Sequence, residues 1–576
     1  MTLSHSWFRS GAYSILAHFD CPAAAAFNLG VLIVPPFGWE DVCSYRPLRE
    51  FAGTLAAQGI PTLRFDLPAT ADSSGTHQDS GLVAAWIQCI SDATQELRRV
   101  SGVTDVAVVG IRLGSMLAVA AAAAAESQLQ DLVLWGPYAS GRSMIRELRA
   151  FRNMEVPEYS NGDEVPRQPL AGLETAGYLI TPETQSALEA LDLTKLPAMP
   201  GRRVLMLSRD ELPCDAKLQA SLSASGCRVD TQPGHGFNGL MNLPHEVVAP
   251  VETFRRIYEW LVADRQRTSP KAVANAISSH QSAVDGVRES VCLIPRLSGN
   301  NFAILTEPLT NTIGTSATDC CLLFLNPGAA RHTGPNRMWV DAARRWAAKG
   351  LPAVRLDLGG IGESDGEQNL DVSGLYQEHL VDQVEQAMEC LSSQIGAKRF
   401  IVVGLCSGAF LAFHAAARKS SICGAILINP RLFVWDPEVD RRRDLRRTSE
   451  GFRNVDTWRR FLHGQVQVKR LKQAASHIFS GLQTHSHLQI PTEAFNNALT
   501  KVACNGSRLT MVFTEGEPLL RELEEEGHLP PAGALEPFQC IRITNGGHTF
   551  RPLWAQKVVH DLIDREVAAL LGVSPQ

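Results

Sequence analysis

The sequence lacks the long apolar runs and leader segments that mark membrane and secreted proteins. Its longest apolar stretch, Leu113–Ala125, is interrupted by Gly114 and Ser115 and is too short to cross a bilayer. The start has no basic region followed by an apolar one, as a secretory signal would, and the 13 cysteines form no CxxC pair. We therefore expect no membrane span, reduced thiols and a cytoplasmic location.

Motifs for metals, nucleotides and nucleic acids are also missing. His245–Glu246 lacks the second histidine of an HExxH site, and the chain has no Walker loop and no GxGxxG after a strand. A net charge of −6 gives no general attraction to nucleic acid. These absences predict that the protein uses no metal and no cofactor and binds no nucleic acid.

What the sequence does have is ample apolar content arranged in a repeat. The 576 residues, 45% of them apolar, suffice for about two to four domains and exclude disorder as the main state. Residues 61–75 (PTLRFDLPATADSSG) resemble residues 352–366 (PAVRLDLGGIGESDG). The same 20-residue spacing separates an arginine from an aspartate in each half: Arg46 from Asp66, and Arg337 from Asp357. We interpret the chain as one unit present twice, and expect these side chains to form scaffold ion pairs.

Each half alternates short β-branched runs with helical patterns, which predicts βαβ units and a mainly parallel sheet. The expected strands are Gly30–Val34, Pro61–Phe65, Asp105–Val109, Asp131–Trp135, Arg203–Leu207, Cys321–Leu325, Ala353–Leu356, Arg399–Val403, Ala425–Asn429 and Leu509–Phe513. A polar, Ser/Ala-rich segment lies between the halves. The expected domains are residues 1–263 and 290–576, joined by a linker over 264–289.

A strand–turn–helix motif with two glycines occurs once in each half. Residues 108–118 read VVGIRLGSMLA, and residues 402–412 read VVGLCSGAFLA. The glycines of this G-x-z-x-G pattern allow a tight turn that exposes residue z at the carboxyl edge of the sheet. The chain thus resembles the α/β-hydrolase superfamily over nearly its whole length. The resemblance implies an α/β fold: two tandem α/β-hydrolase-like domains, each a mainly parallel sheet flanked by helices, with a lid insertion.

In that family residue z is the nucleophile, followed along the chain by an acid and then a histidine. In the second half residue z is Cys406, whose thiol can act as a nucleophile once a base removes its proton. His548 in a Gly-rich loop is the expected base. Glu517, 31 residues before it, is the expected acid, with Glu515 as the alternative.

The resemblance also implies an oxyanion hole in the second half. One donor is the backbone N–H of Ser407, directly after the nucleophile. The other comes from the loop after the first strand, where Gly328 or Ala329 is the expected donor.

The first half departs from the family pattern, because residue z is Arg112 and a guanidinium cannot attack an acyl carbon. Asp210 or Glu211 and then His235 follow in the expected order. We interpret this set as a degenerate site. It is a decayed active site, a site where Arg112 binds a carboxylate or phosphate, or a plain structural ion pair.

A basic insertion follows the fourth strand of the second half. Arg441–Lys472 contains nine arginines and two lysines against three acidic residues. As a lid it is suited to dock an acyl carrier protein, a coenzyme A thioester or an anionic saccharide, although a solvated helical face is equally consistent. Trp435 and Trp458 are candidates for lining an acyl pocket or for core packing.

More narrowly, the two halves resemble the two hydrolase types associated with exosortase and exopolysaccharide gene clusters. One type has G-x-R-x-G behind a PPF loop, and the other has G-L-C behind a GPNR loop with a late HTF. The leading hypothesis is acyl chemistry at Cys406 on a small ester, thioester or lactone, by hydrolysis or acyl transfer. The alternative is a non-catalytic scaffold that binds a carrier protein or an acyl ligand.

Overall fold

A computed structural model of the protein describes residues 2–124, 129–159, 171–267, 271–272, 281–284, 286–309, 319–366, 373–435, 492–529 and 538–573. In these residues the chain forms two large mixed sheets flanked by helices, which we call the first and second units. The fold class predicted from the sequence is confirmed. None of the described helices combines the length and the apolar character needed to cross a membrane.

The first unit is built on an eight-stranded sheet. With strands numbered in chain order, their order across the sheet is β1-β2-β5-β4-β6-β7-β10-β11. Its strands are β1 (Thr2–Ser10), β2 (Tyr13–Cys21), β3 (Ala24–Ala25), β4 (Leu29–Val34), β5 (Thr62–Phe65), β6 (Asp105–Ile111), β7 (Asp131–Trp135), β8 (Leu173–Thr175), β9 (Tyr178–Ile180), β10 (Arg203–Leu207), β11 (Arg228–Gln232) and β12 (Lys271–Ala272). Its helices are α1 (Trp39–Ala57), α2 (Leu82–Ser101), α3 (Leu113–Ala123), α4 (Gly141–Tyr159), α5 (Pro182–Ala190), α6 (Ala216–Ala224), α7 (Phe237–Leu240) and α8 (Val251–Val262). The hairpin β1–β2 pairs antiparallel with the edge of an otherwise parallel sheet.

The second unit repeats this arrangement with a nine-stranded sheet. Its strands are β13 (Gln281–Val284), β14 (Val287–Arg296), β15 (Gly299–Pro308), β16 (Cys320–Leu325), β17 (Ala353–Leu356), β18 (Arg399–Leu405), β19 (Ile422–Ile428), β20 (Arg508–Thr514) and β21 (Phe538–Ile543). Its helices are α9 (Met338–Ala348), α10 (Glu378–Ile395), α11 (Ser407–Arg418), α12 (Thr492–Cys504), α13 (Pro518–Glu525) and α14 (Leu553–Leu571), with 3₁₀ turns at Pro335–Arg337 and Gly374–Tyr376. The strand order is β13-β14-β15-β17-β16-β18-β19-β20-β21.

Burial explains why the central strands read as continuous apolar runs. Every residue of β4 and of β16 is buried, because helices cover both faces of each parallel sheet. Separate apolar clusters lie on the two faces of each sheet. Because β18, β19 and β20 are parallel, their carboxyl ends lie at the same edge of the sheet. The loops that follow these strands come together there.

Part of the segment expected to be a linker belongs to the second sheet. Gln281–Val284 pairs antiparallel with β14, which itself starts at Val287. Lys271–Ala272 pairs with β3 of the first unit. The regular structure of the second unit therefore begins before residue 290.

Contacts between the two units are reciprocal. Arg64 donates to both carboxylate oxygens of Glu363 at 2.7 and 3.1 Å. Arg355 is the counterpart of Arg64 in the second unit, and Asp72 is the counterpart of Glu363 in the first, because both pairs have the same separation along the sequence. Arg355 donates to the Asp72 carboxylate. The same type of contact is thus made twice, once in each direction across the interface. Such reciprocity is typical of a two-fold interface.

The arginines expected in scaffold ion pairs belong to this interface. Each donates to backbone carbonyls of the other unit: Arg46 to Gly362, Ser364 and Gly366 at 3.0, 2.7 and 2.5 Å, and Arg337 to Gly75 and Ser73 at 2.9 and 3.3 Å. Arg46 also pairs with Glu50, and the two aspartates pair with Arg331 and His332, so ion pairs form at three of the four expected positions.

A group of buried charges lies at the centre of the interface. His332 lies between Asp357, at 2.7 Å from Nδ1, and Asp72, at 2.8 Å from Nε2. Arg355 contacts both Asp72 and Glu289, and all five side chains are inaccessible to solvent. Burial lowers the pKa of His332, but Asp357 and Asp72 outweigh it and raise the pKa to about 10. The imidazole is therefore protonated and donates from both nitrogens.

Candidate active site

Cys406 occupies a sharp turn between β18 and α11. Its backbone has φ 56° and ψ −114°, a conformation that L residues rarely adopt. A Cβ on Gly404 would lie 2.1 Å from the Gly408 carbonyl oxygen, so the two glycines of the motif are required for the strand and helix to approach. The turn presents the partly exposed thiol at the carboxyl edge of the sheet.

The structure brings Cys406 together with His548 and Glu517. The His548 imidazole lies close enough to the Cys406 thiol for each group to shift the pKa of the other. His548 Nδ1 lies 2.9 Å from Glu517 Oε1, whereas Glu515 is exposed. Since Nδ1 is bound to the carboxylate, Nε2 is the nitrogen left to interact with the thiol.

The electrostatics of this pair favour a thiolate and an imidazolium. Burial raises the pKa of the Cys406 thiol, but the charge and hydrogen bond of His548 lower it overall. Burial lowers the pKa of His548, and the thiolate together with the Glu517 hydrogen bond raises it to about 10. The Cys406 thiol is therefore more readily deprotonated than an ordinary cysteine.

Sequence reasoning missed a tyrosine beside the thiol. The Tyr376 hydroxyl lies 3.8 Å from Cys406 Sγ, and its hydrogen bond also lowers the pKa of the thiol. The Tyr376 ring stacks on Trp435, with centroids 5.4 Å apart and planes 3° from parallel. Tyr376 belongs to a 3₁₀ turn outside every motif, so no sequence signal pointed to it.

The Tyr376→Phe variant is expected to lower the reactivity of Cys406. Without the hydroxyl donor the thiolate loses one hydrogen bond to a charged group, so its pKa rises. We expect the rate of Cys406 alkylation by iodoacetamide at neutral pH to fall about three- to tenfold. Tyr258→Phe in the first unit is the matched control and should leave the rate unchanged. An unchanged rate in Tyr376→Phe would show that the hydroxyl does not stabilise the thiolate.

A second residue that sequence reasoning missed is Asn429, just after β19. Its Nδ2 donates to the His548 carbonyl oxygen at 2.8 Å, and its Oδ1 accepts from Thr514 N–H at 2.8 Å. It thereby links the end of β20 to the histidine loop. The sequence signal was a polar residue ending an apolar strand next to the nucleophile strand.

The two expected oxyanion donors of the loop after β16 differ in availability. Gly328 N–H donates to Ser407 Oγ at 2.7 Å and is therefore already occupied. Ala329 N–H has no hydrogen-bond acceptor within the described part of the chain. Ser407 is the first residue of α11, so its N–H has no partner inside the helix. The available donors are thus those of Ser407 and Ala329.

An apolar pocket lies beside these donors. Asn326, Gly328 and Ser407 form its polar side. The remaining lining is aliphatic: Leu356, Leu358, Ile361, Leu375, Leu380 and Leu411. The lining is therefore mostly apolar.

In the first unit, Arg112 adopts the same backbone conformation as Cys406, with φ 54° and ψ −114°. Its guanidinium is buried and occupied: Nε donates to Glu40 at 2.8 Å, Nη1 to the Gly136 carbonyl at 3.1 Å, and Nη2 to Tyr138 and Glu147. These contacts favour a structural ion-pair cluster over binding of an external carboxylate or phosphate.

The acid and histidine of the first unit do not meet. Asp210 accepts from the backbone N–H groups of Gly236 and Asn238, each at 2.7 Å. The His235 side chain and Glu211 are exposed. The first unit therefore has an acid followed by a histidine in the same chain order as the second unit, but the two side chains do not form a pair.

One group of potential metal ligands occurs in the described residues, although the sequence suggested none. His5 Nδ1 lies 2.7 Å from His18 Nδ1, and His18 Nδ1 lies 3.7 Å from Glu363 Oε2. The two imidazoles hydrogen bond to each other, and Glu363 is bound by Arg64. These groups are thus already satisfied by protein partners and a guanidinium. The basic insertion Arg441–Lys472, with Trp458, lies outside the described residues.

Comparison with known proteins relates part of the second unit to a known family. Residues 322–561 match the model of the alpha/beta hydrolase family. No sequence among the curated proteins matches this chain. The second unit thus has the alpha/beta hydrolase fold and is similar to that family over residues 322–561.

Solved structures with similar folds each cover about half of the chain. Est1E from Butyrivibrio proteoclasticus is 16% identical over 45% of this chain and 98% of its own, with a TM-score of 0.31. The alpha/beta hydrolase GrgF from Penicillium sp. sh18 is 18% identical over 49% and 97%, with a TM-score of 0.31. A proline iminopeptidase from Mycobacterium smegmatis is 17% identical over 49% and 100%, with a TM-score of 0.31. At such identities these similarities carry no argument about substrate.

Proposed function

We propose that this chain, whose second unit has the alpha/beta hydrolase fold, cleaves an ester, thioester or lactone through a covalent acyl-enzyme on Cys406. The observation that carries the proposal is the position of Cys406 in the sharp turn after β18, with His548, which contacts Glu517 at 2.9 Å, close enough to lower the pKa of the thiol. A thiol in that setting is activated by an adjacent base that a third group orients.

In the first step the Cys406 thiolate attacks the acyl carbon and forms a carbon–sulfur bond. The carbonyl oxygen becomes an oxyanion, which accepts hydrogen bonds from the N–H groups of Ser407 and Ala329. As the tetrahedral species collapses, the bond to the leaving oxygen or sulfur breaks. His548 Nε2 gives its proton to that leaving atom.

In the second step an acceptor removes the acyl group. His548, now neutral, takes a proton from water, and the hydroxide attacks the acyl carbon. The carbon–sulfur bond breaks, which releases the carboxylic acid and restores the thiolate and the imidazolium. If an alcohol, thiol or amine takes the place of water, the same steps transfer the acyl group.

Intact-mass measurement after incubation with p-nitrophenyl acetate and with an acyl thioester tests the proposal. We expect one adduct of acyl mass in the wild type and none in Cys406→Ala. Cys504→Ala, which removes an exposed cysteine, is the matched control and should retain the adduct. An adduct that persists in Cys406→Ala, or the absence of any adduct in the wild type, would contradict the proposed nucleophile.

Several narrower features belong to this proposal. The occupied Arg112 and the separated Asp210 and His235 support a first unit without its own acyl chemistry. From charge alone, we propose that an acyl carrier protein or a coenzyme A thioester docks on Arg441–Lys472. The resemblance to the two exosortase-associated hydrolase types suggests a role near exopolysaccharide synthesis. An adduct that resists water but clears with added alcohol or amine would identify a transferase.

A further inference from the structure

The loop that carries His548 contacts the first unit just before α14. Leu553 N–H, at the first position of α14, donates to Glu174 Oε1 at 2.8 Å. Glu174 lies in β8 of the first unit. The Arg551 guanidinium lies over the Trp39 ring at 3.9 Å, and Trp39 begins α1 of the first unit.

The backbone of the hairpin β8–β9 also touches this loop. At Gly177, between the two strands, an added Cβ would lie 1.9 Å from the Arg551 carbonyl oxygen. The same carbonyl accepts a hydrogen bond from Asn336 Nδ2 at 2.9 Å. The main chain at Arg551, three residues after His548, is therefore held from two sides.

The carboxylate of Glu174 supplies what α14 itself lacks. The residue that precedes the helix is Pro552, which offers no side-chain cap to the first N–H groups. A carboxylate at a helix N-terminus satisfies one of those donors and interacts favourably with the helix dipole. The cap for the helix behind the catalytic histidine thus comes from the other unit.

We propose that Glu174 and Trp39 of the first unit are positioning residues for His548, an inference that rests on the proposed function of Cys406. Contacts that fix Arg551 and the start of α14 hold the C-terminal end of the loop that carries His548. They therefore restrict where His548 can lie. Asn429 holds the same loop at the His548 carbonyl from within the second unit. Loss of the anchor from the first unit lengthens the contact between His548 and Cys406, so the pKa of the thiol rises.

The test is the pH dependence of Cys406 alkylation by iodoacetamide in the full chain, read by mass spectrometry of the Cys406 peptide. In Glu174→Ala we expect the midpoint to move towards higher pH and the rate at neutral pH to fall about tenfold, equivalent to a rise of about one unit in the thiol pKa. With p-nitrophenyl acetate, kcat should fall and KM should change little, because no substrate contact is lost.

Controls separate positioning from folding. Glu183→Ala removes another first-unit carboxylate that accepts a backbone N–H, that of Gly81, and should leave the profile unchanged. Glu174→Gln keeps an oxygen acceptor for Leu553 N–H and should restore most of the rate. Trp39→Leu should shift the profile in the same direction as Glu174→Ala.

The two ideas fail in different ways. A wild-type profile with a depressed thiol pKa that is identical in Glu174→Ala and Trp39→Leu would overturn the positioning role and leave the proposed function intact. A wild-type Cys406 with an ordinary thiol pKa and no acyl adduct would overturn the proposed function, and the inference with it.

Discussion

Replacing His548 with alanine is expected to lower the rate of Cys406 acylation by about 10²- to 10⁴-fold, the range that a positioned acid–base group contributes. Two effects combine in this variant. The thiol loses the largest interaction that lowers its pKa, so its pKa rises. The leaving group also loses its proton donor. Burst kinetics with p-nitrophenyl acetate measure the acylation rate directly.

The pH profile distinguishes these effects. In the wild type the rate should rise with pH through the lowered pKa of the thiol and fall again above about 10, where His548 loses its proton. In His548→Ala the upper limb should vanish, and the lower limb should move to higher pH. His379→Ala removes an exposed histidine and is the matched control. Equal profiles in His548→Ala and the wild type would mean that this imidazole does not activate the thiol.

Replacing Asp72 with alanine is expected to lower the free energy of unfolding by about 3–5 kcal/mol. Asp72 is fully buried and accepts from His332 Nε2 at 2.8 Å and from Arg355. Removing one member of a buried charge pair leaves the other without compensation in a low-dielectric interior. Calorimetric unfolding of the full chain measures the loss. Asp264→Ala, which breaks the exposed contact of Asp264 with Arg203, should cost less than about 1 kcal/mol.

The same charges predict an alkaline limit on stability. The folded pKa of His332, about 10, exceeds its ordinary value of 6.5. Its contribution is therefore fully present below pH 6.5 and is lost as the pH rises through about 10. The wild type should lose thermal stability over that window. Asp72→Asn, which keeps the shape of the side chain but not its charge, should lose less, and an equal slope in both proteins would contradict the assignment.

Apart from the edge strands β11 and β21, the parallel strands of both sheets were predictable from the sequence, because a strand buried on both faces is a continuous apolar run. Asp131–Trp135, Arg203–Leu207 and Ala353–Leu356 were expected with the bounds that they have. The hairpins at the start of each sheet were not. Their strands carry buried polar residues such as His18 and Asp20, whose partners are distant in sequence or lie in the other unit. Local periodicity does not contain that information.

Some residues of the candidate site were predictable from the sequence, and others were not. Cys406 and His548 follow from a motif and from chain order, since the turn geometry needs glycines at fixed spacing. The choice between Glu515 and Glu517 depends on which carboxylate the loop turns inward, and spacing left it open. Tyr376 reaches the thiol from a turn that no pattern marks, because only the folded chain brings it to β18.

The reciprocal interface has a consequence for how its two sides vary. In a dimer of identical chains every substitution appears on both sides of the axis, so the Arg46 and Arg337 contacts, or the turns at Arg112 and Cys406, would be forced to remain alike. Here both sides belong to one chain, so each can change alone while the encounter stays intramolecular and independent of protein concentration. Activity per chain should therefore survive dilution that would dissociate a comparable pair of separate subunits.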